Sequence, residues 1–159
     1  MSNFAGKDPR MRFCGTIQAR RDAKSRVFFP AAFRKQAGAG SEARFVMKRD
    51  IHEDCLVIYP RDVWEEEVAL LGRRLNRWDR RQAMLMRQFM ADIEEFGLDA
   101  QGRFILPQRL AGACGIGADV TFIGMDDRIE LWPSGRLETP FVPADEFSQS
   151  LGALMSAAD

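Results

Sequence analysis

Six basic side chains, Arg20, Arg21, Lys24, Arg26, Arg34 and Lys35, fall between residues 20 and 35 against a single acid, Asp22. Arginine offers a planar fork that grips a phosphate or pairs bidentately with guanine, and lysine adds a mobile point charge. A cluster of this kind fits a polyanion such as double-stranded DNA. A second reading stands beside it: Arg26 pairs with Asp22 inside the chain and fixes the local turn. Both hold if the carboxylate aims the guanidinium. Catalytic chemistry has no comparable support. The one histidine, His52, sits beside Glu53 and Asp54 without metal-ligand spacing. Gly115-x-Gly117 lacks the rest of a dinucleotide fingerprint. Glu65, Glu66 and Glu67 suit the first turn of a helix, where the macrodipole favours acids. No nucleophile has a recognisable base, so no enzyme, metal or cofactor is expected.

The formal net charge is zero, which alone argues against a nucleic-acid partner. The charge is unevenly placed, however. Residues 1–50 carry twelve Lys and Arg against four Asp and Glu, a balance of +8, and the remainder carries −8. Such asymmetry predicts a basic face for a polyanion and an acidic face elsewhere. It also fits a mixed solvated surface, or basic and acidic regions meeting between subunits.

The elements that must position this cluster occur twice. Asp22 to Gly38 and Asp99 to Leu110 share one pattern at a constant offset: Asp22 and Asp99, Arg26 and Arg103, Pro30 and Pro107, Phe33 and Leu110 are each 77 residues apart. A match held in register is an internal repeat. Each copy reads as turn, strand and short helix. Asp22 and Asp99 open the turns because a carboxylate accepts from nearby backbone N–H groups, and Gly102 supplies positive φ. The triplets Val27-Phe28-Phe29 and Phe104-Ile105-Leu106 predict strands buried on both sides. Pro30 and Pro107 end those strands and suit the first helical turn, and Gly38 and Gly115 suit the helix ends.

The Asp-x-x-x-Arg turn, apolar triplet, proline and short helix resemble the AbrB-like DNA-binding module. Two copies in one chain, with Cys55 to Pro60 closing the first and Ile129 to Trp132 the second, resemble the MraZ family of bacterial transcriptional regulators. The resemblance covers roughly residues 13–133. It implies an α+β fold, in which two tandem β-α-β repeats interleave into one swapped-hairpin barrel with connecting helices. It implies a cytoplasmic, nucleoid-associated DNA-binding regulator that assembles into a homo-oligomeric ring on short direct repeats in a promoter, typically that of the division and cell-wall cluster containing its own gene. Lys24 and Arg26 match the family's DNA-contacting turn; Arg20 and Arg21 join them on charge alone. The family's usual glycine in the turn is Ser25 here, mildly strained if positive φ is needed, with a hydroxyl able to donate to a phosphate. The basic cluster thins in the second copy, where Arg103 and Arg109 stand against Glu94, Glu95 and Asp99 between residues 94 and 109. The expected structural turn residues are Asp22, Asp99, Gly102 and Arg103. An alternative in the same fold is a protein-interaction module, antitoxin-like, although residues 134–159 make a poor acidic tail.

The expected organisation is a polar extension over 1–11, a first repeat over 12–60, a helical connection over 61–96, a second repeat over 97–133 and a tail over 134–159. A first strand is placed between Arg12 and Ala19. Hairpins are expected from Phe45 to Met47 with Leu56 to Tyr59, and from Val120 to Ile123 with Ile129 to Trp132. Asp62 with Glu65, and Asp79 with Gln82, mark helix starts resembling capping boxes. Trp64, Val68, Leu71 and Leu75 form one helical face, and Leu85, Phe89, Ile93 and Phe96 another. Met84, Met86 and Met90 are read as core filling. These helices either pack the repeats together or join neighbouring chains. Phe147, Leu151, Leu154 and Met155 predict an amphipathic C-terminal helix. Cys14, Cys55 and Cys114 are read as structural thiols in a reducing compartment. No run approaches the 18 or so apolar residues of a membrane span, and residues 1–10 lack a signal peptide's hydrophobic stretch.

Overall fold

A computed structural model describes residues 13–37 and 43–158; the extension 1–11, Arg12 and Gly38 lie outside the described residues. The elements in chain order are β1 (Thr16–Arg20), β2 (Arg26–Phe28), α1 (Ala31–Gln36), β3 (Arg44–Arg49), β4 (Leu56–Pro60), α2 (Arg61–Arg74), α3 (Arg80–Ala91), β5 (Ile93–Gly97), β6 (Arg103–Ile105), α4 (Gln108–Cys114), β7 (Asp119–Met125), β8 (Arg128–Pro133) and α5 (Ala144–Ser156). The fold is α+β, with six antiparallel strands in the order β1-β7-β8-β4-β3-β5 and a separate two-stranded ribbon, β2-β6.

The strand order shows how the repeats interleave. β1 of the first repeat pairs with β7 of the second, and β5 of the second pairs with β3 of the first. The hairpins β3-β4 and β7-β8 meet through β4 and β8. Each opening strand therefore completes the other repeat's hairpin. Strands β1 and β5 are the sheet's edges, and the ribbon contacts both through β2 and β6.

One phenylalanine-rich core fills the space between sheet and ribbon. Phe29 stacks near Phe45 at 4.8 Å between ring centroids, Phe45 near Phe96 at 5.4 Å, and Phe96 near Phe104 at 4.9 Å. This chain of rings crosses from β2 through the sheet to β6, so each repeat contributes aromatic surface to the other's burial. A second cluster, Val46, Val57, Tyr59, Val63 and Trp64, lies on the opposite face of β3 and β4. There Trp64 stacks on Phe89 at 5.6 Å, so α2 and α3 cover that face. Covering on both sides explains the unbroken apolar sequence of β4, every residue of which is buried.

Several sequence expectations are corrected here. The triplets are not buried on both sides: Val27 and Phe29 are inside while Phe28 is 57% exposed, and Phe104 and Leu106 are inside while Ile105 is 65% exposed. A ribbon on the surface of the core alternates, as a strand with one wet face must. The helical face through Leu85 and Phe89 does not continue, because α3 ends at Ala91 and Ile93 and Phe96 lie in β5. Asp62 does not cap α2; Pro60 occupies that place, without a side-chain bond. Asp79 does cap α3, accepting from the Gln82 backbone at 3.0 Å. The Gln82 side chain accepts from Asn76 rather than from Asp79. Met84 is 46% exposed, and α3 buries no residue completely. The first strand begins at Thr16, with Phe13 forming an isolated bridge to Asp126. Gly115 ends α4 in the left-handed region, and α5 forms as a helix with no buried residue. No helix among the described residues is long and apolar enough to cross a membrane.

Candidate nucleic-acid interface

The ribbon and its two flanking turns present the basic cluster. Asp22 Oδ1 accepts from the backbone N–H of Lys24 and of Arg26, each at 2.9 Å, and Oδ2 accepts from Arg26 Nε at 2.8 Å. The second turn is built alike: Asp99 Oδ1 accepts from Gln101 at 3.0 Å and from Arg103 at 2.8 Å, and Oδ2 accepts from Arg103 Nε at 2.9 Å. The Arg26 backbone N–H, with the Arg26 side chain and the Lys24 N–H, holds the Asp22 carboxyl below its ordinary range. Arg103 and Gln101 do the same to Asp99. Each turn passes through a positive φ, 62° at Ser25 and 82° at Gly102. The turns also lock one another, since Phe29 N–H donates to Gly102 O at 2.9 Å and Leu106 N–H donates to Ser25 O at 2.8 Å.

The ion pair and the outward cation coexist. Asp22 takes only Nε of Arg26, and Nη1 and Nη2 make no hydrogen bond among the described residues. In the second turn Arg103 additionally donates from Nη2 to Gln101 Oε1 at 3.3 Å, where the first turn has Lys24 in the corresponding place. Arg26 and Lys24 thus offer free donors, while Arg103 is tied back. Lys24 is exposed at the tip of its turn, and Arg20 is exposed at the end of β1 opposite Asp119.

Two of the expected contacts are engaged within the chain. Ser25 donates its hydroxyl proton to Leu106 O at 2.6 Å, so that proton is not offered to a phosphate in this arrangement. Arg21 spreads over the second repeat, donating to Gln108 Oε1 and to Ile116 O at 3.4 Å each and reaching Ser25 Oγ at 3.5 Å. Arg21 therefore braces the first turn against α4.

The acids expected to repel a phosphate from the second turn are themselves paired. Arg109 binds Asp92 at 3.2 Å and Glu94 at 2.8 Å, and Arg61 pairs with Glu95. These pairs mute the acidity of that flank without adding a free cation. On the outer face of the ribbon Arg26 stands across from Ile105, and Phe28 across from Arg103. The exposed Phe28 and Ile105 were missed in sequence; the period-2 alternation of a surface strand, applied inside the triplets, would have found them.

Away from the ribbon, among the described residues, one group of possible metal ligands comes together, Asp50, Cys55 and Glu130, with ligand atoms within 4.8 Å of one another. Sequence spacing did not show it, because Glu130 comes from the other repeat. The carboxylates already have structural work. Asp50 accepts from the backbones of His52 and Glu53, Glu130 accepts from Trp132 Nε1, and burial pushes the Cys55 thiol up toward its neutral form. All three cysteines are free, with Cys55 and Cys114 buried.

Comparison with known proteins agrees with this architecture. The family described as "MraZ protein, putative antitoxin-like" matches residues 12–87 and 89–149. A curated relative from Bacteroides thetaiotaomicron, Transcriptional regulator MraZ, is 44% identical over 146 residues, spanning 92% of this chain and 94% of its own. Its counterpart in Bacteroides fragilis is 43% identical over 145 residues, spanning 91% and 92%. One from Nitrosococcus oceani, of the same name, is 32% identical over 123 residues, spanning 77% and 81%.

Proposed function

The chain belongs to the MraZ family, and from that premise we propose that it is a DNA-binding transcriptional regulator rather than an enzyme. It works as a homo-oligomeric ring in the cytoplasm, associated with the nucleoid. Each subunit applies its first turn to one of several short direct repeats in the promoter of its own gene, ahead of the division and cell-wall cluster. Lys24 and Arg26 are the DNA contacts, Arg20 adds long-range attraction, and Asp22, Ser25 and Arg21 hold the turn that presents them. Asp99, Gly102 and Arg103 form the matching turn, which braces the ribbon.

One observation carries this reading: among the described residues Arg26 leaves both terminal nitrogens unengaged, whereas Arg103, its equivalent, donates from Nε to Asp99 and from Nη2 to Gln101. A guanidinium aimed by a carboxylate on Nε is pre-organised for a phosphate or a guanine edge and loses little freedom on binding. Several such turns on one ring release several counterions together, so affinity falls steeply with salt. Turns presented by one rigid assembly read half-sites about one helical turn apart.

The test is an electrophoretic mobility shift on DNA from upstream of the chain's own gene. The expected result is a shift that weakens steeply with salt and drops when the repeats are respaced by about half a helical turn. No shift at low salt would overturn the reading. It would favour the antitoxin-like protein-interaction module instead, which the description of the family and the exposed Phe28 and Ile105 support.

A further inference from the structure

Helix α5 has an apolar face that no described residue buries. Phe147, Leu151, Leu154 and Met155 are 56%, 44%, 73% and 79% exposed and recur at the spacing of one helical face. Its first turn carries Asp145 and Glu146, and residues 139–158 contain no Lys or Arg. Among the described residues, none of this 13-residue helix is buried.

The same chain carries a surface of the opposite character. Between the end of α2 and the first half of α3 runs a groove with Gly72, Leu75, Ala83 and Met86 along it and Arg77 and Arg87 at its sides. Residues 73–87 include six arginines and one acid, Asp79. The groove is thus apolar within and strongly cationic around, and α5 is apolar on one face and acidic at its start. An amphipathic helix laid in an apolar groove is a recurrent mode of recognition, with charges at the edges setting direction and partner.

We propose that α5 of one copy of this chain docks in the α2–α3 groove of the next. The proposal rests on the self-assembly part of the reading above and names the contact that would make it. Because helix and groove are different patches on one subunit, the contact is head-to-tail, and such contacts propagate until their rotation closes a ring. A linker from Ser134 to Pro143 separates α5 from β8.

The test uses two double variants of the full chain in analytical ultracentrifugation. Leu154→Gln with Met155→Gln makes the helix face polar, and Arg77→Glu with Arg87→Glu reverses the groove; all four side chains lie on or near the protomer surface, and melting checks that the fold is kept. The wild type is expected to sediment as an oligomer larger than a dimer and each variant as a monomer. An equimolar mixture should give a one-to-one dimer and nothing larger, since it contains one intact helix face and one intact groove. If either variant keeps the wild-type size, or the mixture stays monomeric, the docking is wrong while self-assembly stands. A monomeric wild type overturns both. Should the helix variant aggregate, Phe147→Lys probes the same face and must likewise shrink the assembly.

Discussion

The guanidinium of Arg34, on α1 of the first repeat, lies against Gly102 in the turn of the second, in the space that a Cβ at that position would occupy. Gly102 is buried there with φ +82°. The residue corresponding to Arg34 in the second repeat is Ala111, 77 residues on, whose methyl group is too short to cover the Ser25 turn in the same way. The two turns therefore tolerate different residues. One needs glycine for shape as well as for backbone angle; the other faces the angle alone and holds serine.

Gly102→Ser should accordingly destabilise the fold by about 2 kcal/mol, combining left-handed strain with displacement of Arg34. Adding Arg34→Ala should recover part of that loss. Chemical denaturation of the four members of the cycle measures it, and strictly additive effects would show that Arg34 is not the obstacle.

At Ser25 two effects oppose each other. Glycine removes a left-handed cost of roughly 1 kcal/mol but also removes a hydroxyl bond to Leu106 O worth about the same. Ser25→Gly should be close to neutral, while Ser25→Ala keeps the strain, loses the bond and costs about 1 kcal/mol. Equal stability of the alanine and serine proteins in thermal melts would mean that the hydroxyl bond contributes nothing.

Arg26→Ala should abolish specific DNA binding with fold and assembly intact, since the ion pair it removes is solvent-exposed and screened. Arg103→Ala should leave DNA binding in place and instead lower the melting temperature or disturb assembly, because Arg103 joins Asp99, Gln101 and the Phe28 ring, 5.9 Å away. The acids near it are occupied by Arg109 and Arg61, so the contrast rests on engagement of the guanidinium more than on local repulsion. Loss of DNA binding by Arg103→Ala at unchanged stability would mean that both turns touch DNA.

Acid should loosen the turns. Asp22 and Asp99 are held below the ordinary carboxylate value of 3.8, the Arg26 and Arg103 backbone N–H bonds being the leading causes. Between the lowered folded value and 3.8 the unfolded chain binds more protons, so stability rises with pH there. The contribution is complete above that window and is lost as pH falls through the folded value. Urea melts taken at about pH 5 and about pH 3 should show a smaller loss for Asp22→Asn with Asp99→Asn than for the wild type. An identical loss in both proteins would place acid sensitivity elsewhere.

The 77-residue offset makes much of this legible, and it extends beyond the two turns. Applied to β1, Thr16–Arg20, it lands on β5, Ile93–Gly97. Ile93 and Phe96 nonetheless read as helical in sequence, because their spacing from Leu85 and Phe89 also suits one helical face; periodicity in a short window does not separate the two. The Asp-to-Arg turns are readable because the bonds that each aspartate accepts span four residues or fewer. Arg21 was not, since its partners Gln108 and Ile116 lie 87 and 95 residues away and meet it only through the interleaving. The placement of Asp50, Cys55 and Glu130 was hidden for the same reason.

That interleaving also dictates when the protein comes into being during synthesis. Strand β1 pairs with residues 119–123, so the opening strand emerges from the ribosome long before its partner exists. The amino-terminal half can assemble its β3-β4 hairpin and lay α2 on it, but β1 and the inner edge of β2 must wait for β6 and β7. Pairings so distant along the chain are slow to close and leave sticky edges open meanwhile. A ribosome stalled at about residue 100 therefore carries an unfinished sheet, and the turn bearing Lys24 and Arg26, though closed by its own local bonds, is braced by Leu106 and Gln108 only after the second repeat has been made.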